Sequence, residues 1–157
     1  MMKLIVITGT PGIGKTTLAE VLTGKGFYRL DLHRHYKDIS TSYNKNKQCY
    51  EIDLKKLEKL VQQKMKEHPK IVVDSHISHL LPKRLVDLCI VLTCSNLKKL
   101  KKRLENRKYS KKKVRENLDA EIFQVCLTES LEKGHQVKIL DTGKRISKKE
   151  ILKQIKL

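Results

Sequence analysis

Residues 4–17 read LIVITGTPGIGKTT, in which the apolar and β-branched run Leu4–Thr8 passes directly into Gly9-Thr10-Pro11-Gly12-Ile13-Gly14-Lys15-Thr16. A short run of this kind, closed by a glycine, has the pattern of a strand buried on both faces. The G-x-x-x-x-G-K-T that follows suits a loop whose backbone N–H groups curl inward around a phosphate, and KTTLAEVL continues it as a helix. Strand, loop and helix in that order separate a phosphate-binding loop from a glycine-rich turn. The stretch therefore predicts a nucleoside triphosphate site made by Gly9, Gly12, Gly14, Lys15, Thr16 and Thr17. Lys15 would place a point charge at the β- and γ-phosphates, and the Thr16 hydroxyl would reach a magnesium ion.

Outward from this loop, apolar runs alternate with helical patterns. Ile71–Asp74 (IVVD), Leu88–Thr93 (LCIVLT) and Val137–Asp141 (VKILD) read as further strands buried on both faces, and Phe27–Leu32 (FYRLDL) as a weaker fifth. Between them, apolar residues recur every three or four positions, marking helices after the caps Asp53 and Ser95. A third helical run extends from Ser110 to Gly134, and Ser147 with Glu150 opens the last in capping-box spacing. This alternation predicts an α/β fold, a parallel sheet covered by helices on both sides, with no linker to divide residues 1–157.

A phosphate loop needs a second magnesium ligand, and the strand-ending Asp74 in KIVVDSH is placed as a Walker-B aspartate. The period-two alternation of extended chain puts His76 on the same face, where it could take a proton from water or a hydroxyl near the γ-phosphate. The segment RLENRKYSKKKVREN sets Arg103 and Arg107 at i and i+4, on one helical face, able to neutralise a moving phosphoryl group. No N-K-x-D segment occurs late in the chain, so guanine recognition is not expected.

Composition limits the partners. Lys and Arg total 35 against 17 Asp and Glu, a formal charge of +18, which attracts polyanions such as nucleotides and RNA. Aromatic residues make up only 4 % and tryptophan is absent, leaving no platform for stacking single-stranded bases. Cys49, Cys89, Cys94 and Cys126 have neither zinc nor disulfide spacing, and Cys89 and Cys94 read as strand packing. With no apolar span and no leader pattern, the expectation is a soluble, cytoplasmic protein that does not enter membranes.

The segments GTPGIGKTT, VDSHISHLLP and RKYSKKKVRENLDAEIFQV, in this order and at these separations, resemble the adenylate kinase isoenzyme 6 family, especially its archaeal members. The resemblance covers essentially the whole chain. It implies a P-loop NTPase fold of the nucleoside-monophosphate-kinase kind, three α/β/α layers around a five-stranded parallel sheet. It also implies a monophosphate-binding insertion at about 28–52 and a lid at about 106–116.

The activities implied are broad nucleoside monophosphate kinase and ATPase, with ATP and Mg²⁺ as cofactors and AMP as acceptor. The family resemblance further implies a part in late maturation of the small ribosomal subunit, beside a ribosomal protein and rRNA or a pre-ribosomal particle. Carried over by position, it supports Gly12, Gly14, Lys15, Thr16 and Thr17 as ATP ligands and Asp74 with His76 as the metal and water pair. It adds Arg34 for the acceptor monophosphate, Arg107 for the lid and Lys144 for the adenine side. Two departures stand out: Tyr43–Gln48 (YNKNKQ) replaces an acidic run of the eukaryotic members, and Arg107-Lys108-Tyr109 replaces R-G-Y. Two readings follow, a phosphotransferase or an assembly ATPase whose monophosphate activity is incidental.

Overall fold

The structure, a computed structural model, describes residues 2–46 and 49–156. Its centre is a five-stranded, all-parallel sheet formed by β1 (Leu4–Thr8), β2 (Tyr28–Leu30), β5 (Ile71–Asp74), β6 (Leu88–Thr93) and β7 (Val137–Asp141). The strand order is β2-β5-β1-β6-β7, so β1 is central and the chain changes direction across the sheet at its C-terminal end. In an open α/β sheet, that switch point is where ligands bind. A separate antiparallel hairpin, β3 (Ser40–Asn44) with β4 (Cys49–Ile52), stands apart from the main sheet between β2 and α3 (Leu54–Glu67).

Alternating side chains of the central strands feed two apolar layers. Ile5, Ile7, Val72, Leu88 and Ile90 pack with α1 (Lys15–Thr23), α4 (Leu97–Asn106) and α5 (Lys111–Ile122). Leu4, Val6, Ile71, Val73, Cys89 and Val91 pack on the other face with α3 and α6 (Val125–Glu132). This is the three-layer α/β/α arrangement expected, and Cys89 and Cys94 are buried in it. No described helix is long and apolar enough to cross a membrane.

Local chemistry explains several helix starts. The Asp53 carboxylate accepts from Lys55 N and Lys56 N, Ser110 Oγ from Lys113 N, and Ser147 Oγ from Glu150 N, each capping a helix start. The last of these opens α7 (Lys148–Gln154).

Four expectations need correction. The cap of α4 is Asn96, whose Oδ1 accepts from Lys99 N, because Ser95 is drawn away to Asp141 (Oγ to Oδ2, 2.7 Å). The fifth strand covers only Tyr28–Leu30, since Asp31 caps the 3₁₀ turn at Leu32–His35 through His33 N. β7 is an edge strand, not buried on both faces: Ile139 is 52 % exposed.

The run from Ser110 to Gly134 is two helices rather than one. Gln124 takes a left-handed conformation (φ 53°), and its Nε2 donates to Glu121 O. A straight helix could not place Val114 and Leu118 in one apolar layer and Leu127 in the other; the break lets the chain pass from one face to the other.

Candidate active site

At the C-terminal end of the sheet lies a cleft of about 900 Å³. Its floor is the loop between β1 and α1, where Gly12 and Gly14 adopt positive φ (83° and 107°), conformations that side-chain-bearing residues rarely hold. Gly9 also holds a positive φ (151°), and a Cβ there would in addition lie 2.8 Å from Leu92 O on β6. Gly12, Gly14, Lys15, Thr16 and Thr17 all border the cleft, whereas Gly9 lies below it.

The Lys15 ammonium donates to Gly9 O (2.8 Å) and Thr10 O (3.1 Å), holding the loop in its curl. Burial, reinforced by the positive charge of Arg107, lowers its pKa to about 8. Asp74 enters the cleft from the end of β5, the strand paired with β1 in the register Ile7↔Asp74. Its two oxygens are taken by Arg29 on β2, Nε to Oδ1 at 2.8 Å and Nη2 to Oδ2 at 2.9 Å. Nothing in FYRLDL signals this partner, because an arginine on a short strand is ordinarily a solvated edge residue.

His76 and Asp74 border the same cleft, although β5 ends at Asp74 and His76 lies in the turn beyond it rather than on an alternating strand. The His76 ring reaches solvent, yet loss of hydration and the charges of Lys15 and Lys113 push its pKa down to about 4. The imidazole is therefore neutral at pH 7 and free to accept a proton. His79, three residues on, is a buried structural group: Nδ1 lies 2.6 Å from Thr8 Oγ1 and Nε2 3.1 Å from Glu129 Oε1.

The opposite wall comes from the end of α4 and the start of α5. Arg103 and Arg107 both face the cleft, with Arg103 Nη1 near Gly12 O (3.4 Å) and Arg107 Nη1 near Tyr109 Oη (3.4 Å). Lys113 lies over the Tyr109 ring at 4.0 Å. Lys108 occupies the left-handed region (φ 59°), the conformation that a glycine would take without strain.

A smaller chamber of about 370 Å³ adjoins the cleft, sharing Gly12, Gly14, Thr17 and Arg103 as walls. Leu140, Ile146 and Ile151 make it largely apolar, and Lys144 stands at its rim. The far end of the main cleft is lined by His33, Tyr36, Tyr43 and Ile52 from the segment around the β3–β4 hairpin. Arg34 is not among its lining residues: its side chain is 84 % exposed, 3.8 Å from Asp31. Of the basic stretch Tyr43–Gln48, Lys47 and Gln48 lie outside the described residues.

Thr16 and Asp74 supply hard oxygen donors to one cleft, and no cluster of three or more His, Cys, Asp or Glu fit for a metal occurs among the described residues. That set suits magnesium, which takes one or two protein ligands and otherwise keeps water and substrate phosphate. It does not suit an all-protein metal cage.

Residues 5–124 match the family model described as an AAA domain. The chain is 39 % identical over 155 residues to the "Putative adenylate kinase" of Methanocaldococcus jannaschii, covering 97 % of this chain and 85 % of that one. It is 34 % identical over 132 residues to the "Adenylate kinase isoenzyme 6 homolog FAP7" of Saccharomyces cerevisiae, covering 82 % and 66 %. Among solved structures, the fold is shared with shikimate kinase from Bacteroides thetaiotaomicron (TM-score 0.58, 16 % identity, 100 % of both chains). Deoxyadenosine kinase from M. mycoides shares it as well (TM-score 0.57, 15 % identity, 100 % of both chains). These likenesses place the sheet and its phosphate loop in the P-loop kinase fold.

Proposed function

The chain belongs to the adenylate kinase isoenzyme 6 family, and from that premise we propose that it is a nucleoside monophosphate kinase acting on ATP and AMP, with ATP hydrolysis as a second activity. One observation carries this reading: segments far apart in sequence bring Lys15, Thr16, Asp74, His76, Arg103 and Arg107 to a single cleft at the sheet's switch point.

In this reading the N–H groups of the loop through Gly12 and Gly14 cradle the triphosphate, with Gly9 and Thr17 shaping the ends of the loop. Lys15 exchanges its two carbonyl partners for phosphate oxygens. The triphosphate's adenosine end extends into the chamber rimmed by Lys144. The insertion at about 28–52 receives the monophosphate, with Arg34 turning inward to its phosphate, and the lid at about 106–116 brings Arg107 over the transferring group. Thr16 and Asp74 would hold magnesium, which when bound screens the charge of the phosphate oxygens.

Transfer breaks the bond between the γ-phosphorus and its bridging oxygen and forms one to an oxygen of AMP, leaving two ADP. The acceptor oxygen is already anionic, so positioning and charge neutralisation suffice. Hydrolysis differs in needing a proton removed from water, and the neutral His76 imidazole is the group placed to receive it.

A second reading rests on a different observation. Lys98, Lys99, Lys101 and Lys102 on α4 and Lys111 and Lys112 on α5 are exposed, and Glu105 is the only carboxylate between Lys98 and Arg115. Such a face exceeds what a triphosphate needs and suits rRNA or a pre-ribosomal particle in the cytoplasm, the setting of an assembly ATPase. ADP formation measured with and without AMP separates the two. A large AMP-dependent increase supports the kinase; a rate indifferent to AMP and raised by rRNA or a small-subunit ribosomal protein supports the assembly ATPase.

A further inference from the structure

Arg29 stands on edge strand β2 in register with Val72, so it leaves the sheet on the same face as Asp74, two residues further along β5. There the guanidinium engages both carboxylate oxygens in parallel, at 2.8 and 2.9 Å. The Asp74 side chain is only 4 % exposed and that of Arg29 24 %, so solvent screens the pair weakly. A two-point contact of this kind fixes the plane of the carboxylate as well as its place, which a lysine could not do.

The sequence points Asp74 toward a metal, while the structure gives its charge a two-point partner in Arg29. We propose that Arg29 acts through Asp74, engaging both oxygens of its carboxylate and so lowering its pull on a divalent cation. The inference rests on the reading above, in which Thr16 and Asp74 hold the magnesium that accompanies ATP. An ionised carboxylate has about four acceptor sites, and the guanidinium fills two. Those that remain can still accept from water or face a cation, but the charge behind them is largely neutralised. Magnesium sheds water reluctantly, so a weakened carboxylate keeps its binding modest and dependent on the phosphates of the nucleotide.

The test uses the full chain, Mn²⁺ as the spectroscopic probe and a non-hydrolysable ATP analogue. Mn²⁺ affinity of the protein–analogue complex is read by electron paramagnetic resonance for the wild type, Arg29→Met and Arg29→Lys. Arg29→Met is expected to bind Mn²⁺ roughly three- to tenfold more tightly, since a charge-assisted pair no longer competes for Asp74. Arg29→Lys, which keeps the charge without the fork, is expected to fall between the two.

Unchanged or weaker Mn²⁺ binding in a folded Arg29→Met overturns the proposal. Should that variant fail to fold, Arg29→Lys decides: affinity equal to wild type overturns it, and tighter binding supports it. Analogue binding without metal is measured alongside. Failure of the wild type to bind the analogue would strike down the nucleotide site itself and this inference with it. Normal analogue binding with no Arg29 effect would remove this inference alone.

Discussion

Thr10 of the phosphate loop donates its hydroxyl, at 3.0 Å, to the buried carboxylate of Glu121 in the last turn of α5. The same carboxylate accepts from Cys94 N, just past β6, and from Gln124 Nε2 at the break between α5 and α6. One side chain thus ties the floor of the cleft to the helix whose first turns fall within the proposed lid.

Glu121→Ala leaves the Thr10 hydroxyl and Cys94 N–H without partners, and a buried donor so stranded costs about 1–3 kcal/mol. With two donors stranded, the melting temperature is expected to fall by roughly 4–24 °C, at about 2–4 °C per kcal/mol for a chain of this length. Burial holds the carboxyl above its ordinary value of 4.5, so its ionised form is the costlier one in the fold. The wild type's advantage over Glu121→Gln is therefore largest below that value and shrinks as pH rises through the raised one. Melting both proteins across that range checks the slope; an advantage that grows with pH contradicts the assignment.

Lys15→Ala is expected to abolish kinase and ATPase activity while the protein stays folded, because the side chain packs on a loop and not in the core. More than a tenth of the activity remaining would refute its role. Since the pKa of Lys15 is lowered to about 8, the free loop loses its charge above that pH. Affinity for an ATP analogue should then decline as pH rises past about 8, up to tenfold per unit. Titration of the wild type and Lys15→Met by analogue fluorescence tests this, because the mutant should show no such decline.

His76→Ala is expected to slow hydrolysis by about a hundredfold or more, the usual contribution of a positioned base, while transfer to AMP changes far less. The lowered pKa of His76 in the free protein places the acid limb of kcat/KM for hydrolysis below the ordinary imidazole range. Single-turnover rates with water and with AMP as acceptors decide the matter. Equal losses in both reactions, or none in either, would be incompatible with the role.

Lys108→Gly relieves a left-handed conformation that costs a side-chain-bearing residue roughly 1–2 kcal/mol. Part of this gain is offset by the greater freedom of glycine in the unfolded chain. A net stabilisation of about 0.5–1 kcal/mol is expected in urea unfolding. A clear destabilisation would mean that the Lys108 side chain stabilises the turn through contacts of its own.

Reversing Lys98, Lys102 and Lys112 to glutamate should weaken binding to rRNA or to a small-subunit particle and flatten its salt dependence, with the KM for ATP nearly unchanged. All three are exposed and none borders the cleft. Salt-insensitive binding by the wild type, or normal binding by the triple variant, would reduce this face to a solvated surface.

The sequence by itself determined the sheet and the floor of the cleft. LIVIT, IVVD and LCIVLT announce buried strands because each is a short apolar run bounded by breakers, and the loop of G-x-x-x-x-G-K-T is legible because its shape is carried by contiguous backbone. Asp74 reads as a strand-ending residue and stands at the end of β5, whereas His76, expected on the same face by alternation, lies in the turn beyond that strand and still borders the cleft. Only the tertiary structure decided that Arg29 takes both oxygens of Asp74, that Glu121 reaches Thr10 across 111 residues of chain, and that Gln124 breaks a helix whose periodicity runs on. Periodicity reports which way a side chain points from its own element. It carries no information about what a neighbouring strand or helix, distant in sequence, places opposite.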